Sequence, residues 1–220
     1  METINKSTLE FLHNLKYNNN REWFIKNKSR YLLARDNFEV FVQEIINSII
    51  NFEPILKGLE VKSCVYRINR DIRFSNDKSP YKSHFGAFIV RGGKKNGDKF
   101  AGYYIHIEPG NSIIAGGAYM PPTLWLSAIR GKIDEEPEKL VKIINTKDFI
   151  KYFGKIDGEK LKKAPKGYPS DHPNVDLLKL KSYLVVNEVS DELLLSQMYF
   201  DHVLNVLKAM KPLNDFLNDY

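Results

Sequence analysis

Tyr103-Tyr104-Ile105-His106-Ile107-Glu108-Pro109-Gly110 is the run on which the fold turns. Tyr103, Ile105 and Ile107 alternate with Tyr104, His106 and Glu108, a period of two that sends the first set to one face of an extended chain and the second to the other. Pro109-Gly110 then turns the chain. The same alternation extends on both sides. Upstream, Phe85 to Arg91 reads as a strand, and Arg91 to Asp98, with Gly92-Gly93, as a polar hairpin turn into a strand from Phe100 to Glu108. Downstream, Ser112 to Tyr119 reads as a further strand through Gly116-Gly117.

Helical periods flank this block. Leu9, Leu12 and Leu15 predict a short helix over Thr3 to Lys16 with Ser7 as its cap. A longer one follows from Arg21, with Trp23, Phe24, Tyr31, Ala34, Phe38, Phe41, Val42, Ile45, Ile46 and Ile49 at steps of mainly three and four, until Asn51 to Pro54 stops it. Pro121-Pro122 opens a helix over Leu124 to Ile133, Pro137 another to Asn145, and Lys147 to Tyr168 reads mostly as loop. Lys181 to Glu188 returns to a strand pattern, and Ser190 caps a final helix, running past Met210, with Asp191 and Glu192 at its positive end. Helices, then strands, then helices predict an α+β fold: one domain, its antiparallel sheet packed against several helices, with a second sheet face free to be polar.

The chain has 220 residues, 43% hydrophobic and 27% charged, enough for one core and unlike a disordered polymer. Its 33 basic against 27 acidic residues give a formal charge of +6, an excess that an anionic partner would feel. The single cysteine, Cys64, has no internal partner, and with no histidine paired to it in sequence it is assigned no catalytic role. No apolar run is long enough to span a bilayer and no basic segment precedes an apolar one at the amino terminus, so the expected location is cytoplasmic, away from membranes.

Chemistry concentrates between Cys64 and Phe88. If Tyr66 to Phe74 is extended, Arg67, Asn69, Asp71 and Arg73 share one face, and Tyr66, Ile68, Arg70, Ile72 and Phe74 the other. Guanidinium suits two-point recognition of phosphate or carboxylate because its fork is rigid and always charged. Lys78 and Lys82 add point charges around the turn Ser75 to Pro80. Were this strand to lie beside the one carrying Tyr104, His106 and Glu108, all would line one concavity. His106 and Glu108 also read as a general base with an orienting acid, or as a metal pair; since a metal site needs three or four ligands, none is assigned. An internally paired Arg-Asp network is the bland alternative. The tyrosines among the basic residues leave nucleic-acid binding without catalysis as another.

Three segments carry a resemblance: Phe11 to Phe24, Tyr66 to Lys82, and Ala164-Pro165-Lys166-Gly167-Tyr168. Together with Tyr103 to Gly110, they resemble the bacterial and fungal family called domain of unknown function 2461. The resemblance covers nearly the whole chain. It implies no activity and no established catalytic residue; it marks Arg67 to Lys82, the helix start at Asn19 to Phe24 and the Lys166 loop as family hallmarks.

The expectation is binding, with processing left open, of a phosphate- or carboxylate-bearing small molecule in a basic pocket on the sheet. Arg67, Asn69, Arg70, Arg73, Lys78, Lys82, Tyr104 and Lys166 are the candidate ligand contacts, and Asp71, His106 and Glu108 the candidate acid-base groups. No organic cofactor is implied.

Overall fold

A computed structural model describes residues 3–219. Its centre is a four-stranded antiparallel sheet in the order β1 (Phe85–Ile89), β2 (Gly102–Ile107), β3 (Ser112–Ala118) and β4 (Tyr183–Val189). The register sets Gly86 opposite His106, Ile105 opposite Ile114 and Gly116 opposite Val185. One face therefore carries Phe85, Ala87, Ile89, Tyr103, Ile105, Ile107, Ile114, Tyr183 and Val185, all buried. The expected α+β architecture is present, and the strand boundaries differ from those read in the sequence by one or two residues at most ends.

Helices cover that apolar face. α1 (Lys6–Tyr17), α2 (Arg21–Lys26) and α3 (Lys28–Ile49) precede the sheet, and α3 lies against β1, with Phe38 stacked on Phe85 at 5.5 Å. After a four-residue helix α4 (Val61–Cys64) and the three-stranded meander come α5 (Thr123–Glu135), α6 (Pro137–Ile144), α7 (Lys147–Tyr152) and the single-turn α8 (Val175–Leu178). The single-turn α9 (Asp191–Leu194) leads from β4 into α10 (Tyr199–Asn218), which packs on β3 and α3. Phe41 of α3 stacks on Tyr199 of α10 at 5.2 Å, which closes the layer. Each such ring, removed from water, contributes about 1.5–3 kcal/mol. No helix among the described residues is long and apolar enough to cross a membrane.

Local chemistry breaks two helices that the periodicity reads as continuous. Asn27 donates its side-chain amide to the Trp23 carbonyl at 2.9 Å and leaves helical geometry, so the helix expected from Arg21 is α2 followed by α3. Side-chain amides compete in this way with the backbone ladder. At the other end, Ser190 caps α9 as expected, accepting the Leu193 N–H at 3.2 Å. The chain then reverses at Ser196, whose hydroxyl bonds the Leu193 carbonyl and accepts the Met198 N–H, before α10 begins. The expected cap at Ser7 is likewise displaced, because Asn5 holds the N-cap position of α1.

The largest departure is at Tyr66 to Phe74, which is not a strand. Only its first part is extended. Val65 bridges Ala87, the Tyr66 N–H donates to the Gly86 carbonyl, and Asn69 bridges Tyr81, so residues 65–70 run antiparallel to residues 80–87 along the edge of β1. At Asp71 the chain leaves this pairing. The carboxylate accepts the backbone N–H of Arg73 and its guanidinium, which bends residues 71–79 into a polar loop and leaves Phe74 95% exposed. The segment flanks β1 rather than β2, so the side-by-side arrangement of Arg67 to Arg73 with Tyr104 to Glu108 does not form.

Candidate functional site

Among the described residues, the helices packed most extensively on the sheet, α3 and α10, lie on its apolar face, and the second face of β1 and β2 borders open space. Because Phe85 and Ala87 point to the core, His84, Gly86 and Phe88 point away from it, on the same side as Tyr104, His106 and Glu108. Gly86 stands opposite His106 and adds no side chain, and the phenol of Tyr104 occupies the space above it. The outcome is a cluster of three aromatic rings and a carboxylate where β1 and β2 meet.

Its geometry is specific. The His84 and His106 rings lie 4.3 Å apart between centroids, tilted by 32°. His106 Nε2 is 3.3 Å from Glu108 Oε2, and its Nδ1 is 3.0 Å from Tyr104 Oη. With Glu108 ionised, Nε2 carries the proton and Nδ1 accepts that of the phenol. Glu108 also accepts the Ser83 hydroxyl at 2.8 Å and the Asn111 amide at 3.1 Å. Ser112, buried, accepts the Glu108 N–H and donates to its carbonyl, fixing the tight turn from β2 to β3. The side chains of His106 and Glu108 are only 12% and 15% exposed.

Burial governs the electrostatics here. It pushes the His84 imidazole down to about 4, with the neighbouring His106 adding to the effect. His106 is also lowered, burial outweighing the support of Glu108. Glu108 is pushed up by burial, yet the bonds from Asn111, Ser83 and His106 together hold it below the usual carboxylate range. Tyr104 is raised to about 12, chiefly by burial. At neutral pH both imidazoles and the phenol are uncharged beside an ionised carboxylate.

Two cavities meet at His84, while His106 and Glu108 line neither. One, of about 560 Å³, is lined by Lys16, Asn19, Arg70, Asp71, Ser83 and others, and the second, of about 810 Å³, spreads over Phe88, Tyr104, Ile113 and Val186; Lys82 and His84 line both. The two larger hallmarks of the sequence converge on the first. The Asn19 side chain donates to the Tyr81 carbonyl at 2.9 Å and accepts the Tyr81 N–H at 3.1 Å, and Phe24 stacks on the Tyr81 ring at 3.9 Å. Asn20 meanwhile accepts the Trp23 N–H and caps α2. The corner between α1 and α2 thus holds the chain that presents Lys82 and His84.

The candidate residues divide. Arg70 pairs with Asp77 and donates to Ser75 Oγ, and Arg73 forms a two-point pair with Asp71 at 2.9 and 2.7 Å. Lys78 donates to the Ile72 carbonyl within the same loop. Asn69 is exposed and pairs with Tyr81 through its backbone. Arg67 and Lys82 have no carboxylate partner among the described residues. Lys82 is half-buried, lies 5.2 Å over the Tyr66 ring, and has its ammonium pKa lowered by burial and by the positive charge of Arg67. Lys166 is exposed and lines neither cavity; its loop leads to His172, which pairs with Asp134 of α5 at 3.1 Å. Asp71 lines the first cavity, apart from His106 and Glu108 on the sheet.

His84 is the residue the sequence reading passed over. The signal was parity: continuing the alternation of Phe85 and Ala87 one step upstream puts His84 on the face of Tyr104, His106 and Glu108. Cys64 is buried, and burial raises its thiol pKa, which disfavours the thiolate.

Fold and site define an α+β protein with a half-buried His-His-Glu cluster on the open face of an antiparallel sheet. The chain belongs to the family described as conserved hypothetical protein (DUF2461), whose model matches residues 7–216. No curated protein and no solved structure matches it.

Proposed function

We propose that the protein binds a small molecule bearing a phosphate or carboxylate group in the cavity lined by Lys82 and His84. The observation that carries this reading is the state of Lys82: a half-buried ammonium with a guanidinium, Arg67, as its electrostatic neighbour and no carboxylate in salt-bridge contact with either among the described residues, the Asp71 carboxylate that feels Arg67 being paired with Arg73. Two like charges held together, one of them partly desolvated, are unfavourable until an anion joins them. The loop carboxylates do not serve, since Asp71 is engaged by Arg73 and Asp77 by Arg70 and Ser79. An anion in the cavity would find Lys82 as a point charge, with the positive charge of Arg67, which lines neither cavity, adding to it from outside. The apolar lining of the larger cavity, Phe88, Ile113 and Val186, suits the body of such a molecule. Of the candidate acid-base groups, Asp71 lines the first cavity, whereas His106 and Glu108 line neither and adjoin it through His84, whose ring packs on His106.

The test is calorimetric titration, after a thermal-shift screen, with inorganic phosphate, sugar phosphates, mononucleotides and small di- and tricarboxylates. Binding of at least one class is expected, and Lys82→Ala should weaken it by about 10- to 100-fold, the worth of one charge-assisted bond of about 1.5–3 kcal/mol, without lowering the melting temperature. Failure of every compound, with oligonucleotide binding that falls steeply as salt is raised, would replace this reading with nucleic-acid recognition.

A further inference from the structure

We propose that His84, His106 and Glu108 form a binding site for one divalent first-row transition-metal ion on the open face of the sheet. The inference goes beyond the anion reading and does not depend on it.

One donor atom from each of the three residues can be chosen such that all lie within 4.8 Å of one another. Bonds of about 2.0–2.2 Å to a common ion place neighbouring donors roughly 3–3.5 Å apart. His106 Nε2 and Glu108 Oε2, at 3.3 Å, already stand at that separation. His84 is on the strand extension beside them, with a ring nitrogen within 4.8 Å of both donors.

The outer groups are those that metal ligands require. A metal-bound imidazole is held by a partner on its other nitrogen, and a ligating carboxylate by donors to its oxygens. Tyr104 Oη is at hydrogen-bond distance from His106 Nδ1, and Glu108 is bonded by Ser83 and Asn111. When an ion takes Nε2, the ring proton sits on Nδ1 and the phenol oxygen accepts it. Backbone geometry adds rigidity, since Ser112 ties Glu108 into the β2–β3 turn. Neither ring nitrogen of His84 has a hydrogen-bond partner among the described residues, though the ring packs 4.3 Å from His106. A half-buried imidazole directed at a second imidazole and a carboxylate, with no bond of its own, gains a partner when an ion enters.

Donor chemistry fixes the class of ion. Two imidazoles and one carboxylate favour zinc, iron(II), manganese, cobalt or nickel over magnesium and calcium, which prefer all-oxygen shells. Three protein ligands leave at least one position open. His84 lines both cavities, so that position faces the space in which a small molecule would lie.

The experiment uses the untagged full chain, stripped with chelator and titrated with Co²⁺, Zn²⁺ and, without oxygen, Fe²⁺. One equivalent of ion per chain is expected by elemental analysis, with visible Co²⁺ bands, a raised melting temperature, and an X-ray absorption shell containing two imidazoles. Glu108→Gln, which preserves shape, and His84→Asn should each weaken Co²⁺ binding at least tenfold. His172→Ala, whose imidazole pairs with Asp134 elsewhere, should leave it unchanged. Absence of stoichiometric binding by the wild-type chain overturns the proposal. So does a shell of oxygen atoms alone, a readout that needs no variant to fold. Affinity equal to wild type in both Glu108→Gln and His84→Asn overturns it as well.

Discussion

The phenol oxygen of Tyr104 lies 2.7 Å from the point where a side chain at Gly86 would begin. Residue 86 faces His106 across the β1–β2 ladder, so the missing side chain lets the phenol reach across β1 and bond His106 Nδ1. An alanine at this position would displace the tyrosine. Gly86→Ala is expected to cost about 1–3 kcal/mol through overpacking. It should also shift the His106 ring-nitrogen resonances as the Tyr104 bond breaks. Calorimetry and imidazole NMR check the two effects separately; an unchanged His106 spectrum would mean that the phenol adapts without leaving its partner.

Asn19 predicts a different kind of loss. Its amide makes both bonds that a neighbouring strand would make to Tyr81, one donated and one accepted. Asn19→Ala leaves that N–H and carbonyl without these partners and is expected to cost about 1–3 kcal/mol. Hydrogen exchange at the Tyr81 amide should accelerate more than at the β2 amides. Asn19→Asp retains the acceptor and should restore part of the protection.

Tyr199 is fully buried, and its hydroxyl has no hydrogen-bond partner among the described residues. Tyr199→Phe keeps the stack on Phe41 and removes the orphaned group, so a gain of about 1 kcal/mol is expected in chemical denaturation. The pH dependence carries a sign. Burial raises the folded-state pKa of Tyr199, so its neutral form contributes fully below the unfolded value near 10 and that contribution is lost as pH rises beyond it. Tyr103 and Tyr183, raised in the same direction chiefly by burial, act alike. The melting temperature should fall between pH 9.5 and 11 by an amount that Tyr199→Phe reduces, since each such group adds about 1.4 kcal/mol per pH unit. A variant curve parallel to that of the wild type would contradict the assignment.

The loop from Asp71 to Ser79 should titrate by its hydrogen bonds. The Ser79 hydroxyl, then the Arg70 guanidinium, then the Ser79 N–H hold the Asp77 carboxyl well below its usual range. A depressed folded value means a stabilising contribution present above about pH 4 and lost as pH falls below it. Carboxyl NMR should show the Asp77 midpoint rising in Ser79→Ala and, by less, in Arg70→Ala. The exposed pair of Arg73 with Asp71 adds little to global stability, so Arg73→Ala is expected to leave the melting temperature unchanged.

What the sequence disclosed and what it withheld divide along physical lines. Alternation of Tyr103, Ile105 and Ile107 with Tyr104, His106 and Glu108 located β2 and its two faces, because burial on one side of a sheet imposes a period of two. Three- and four-residue steps located α3, α5 and α6 for the corresponding reason. Breaks set by a side chain bonding its own backbone left no trace in the hydrophobic pattern, which is why Asn27 and Ser196 went unread and why Asp71 ended an extended segment sooner than expected. Pairing across strands is not periodic at all. That His84 meets His106, that Arg70 and Arg73 meet carboxylates of their own loop, and that Lys82 meets none depends on register and on which segment borders β1.

That bordering segment has a further consequence. Strand edges with unpaired N–H and carbonyl groups invite other chains to add on. Here the β1 edge is occupied by residues 65–70 and their bonds, while Asp157 exchanges two backbone bonds with Leu184 on β4. Each outer strand of the sheet thus begins with its edge already paired, β1 at Gly86 and Ala87 and β4 at Leu184. At these positions the two outer strands give neighbouring copies little backbone on which to build.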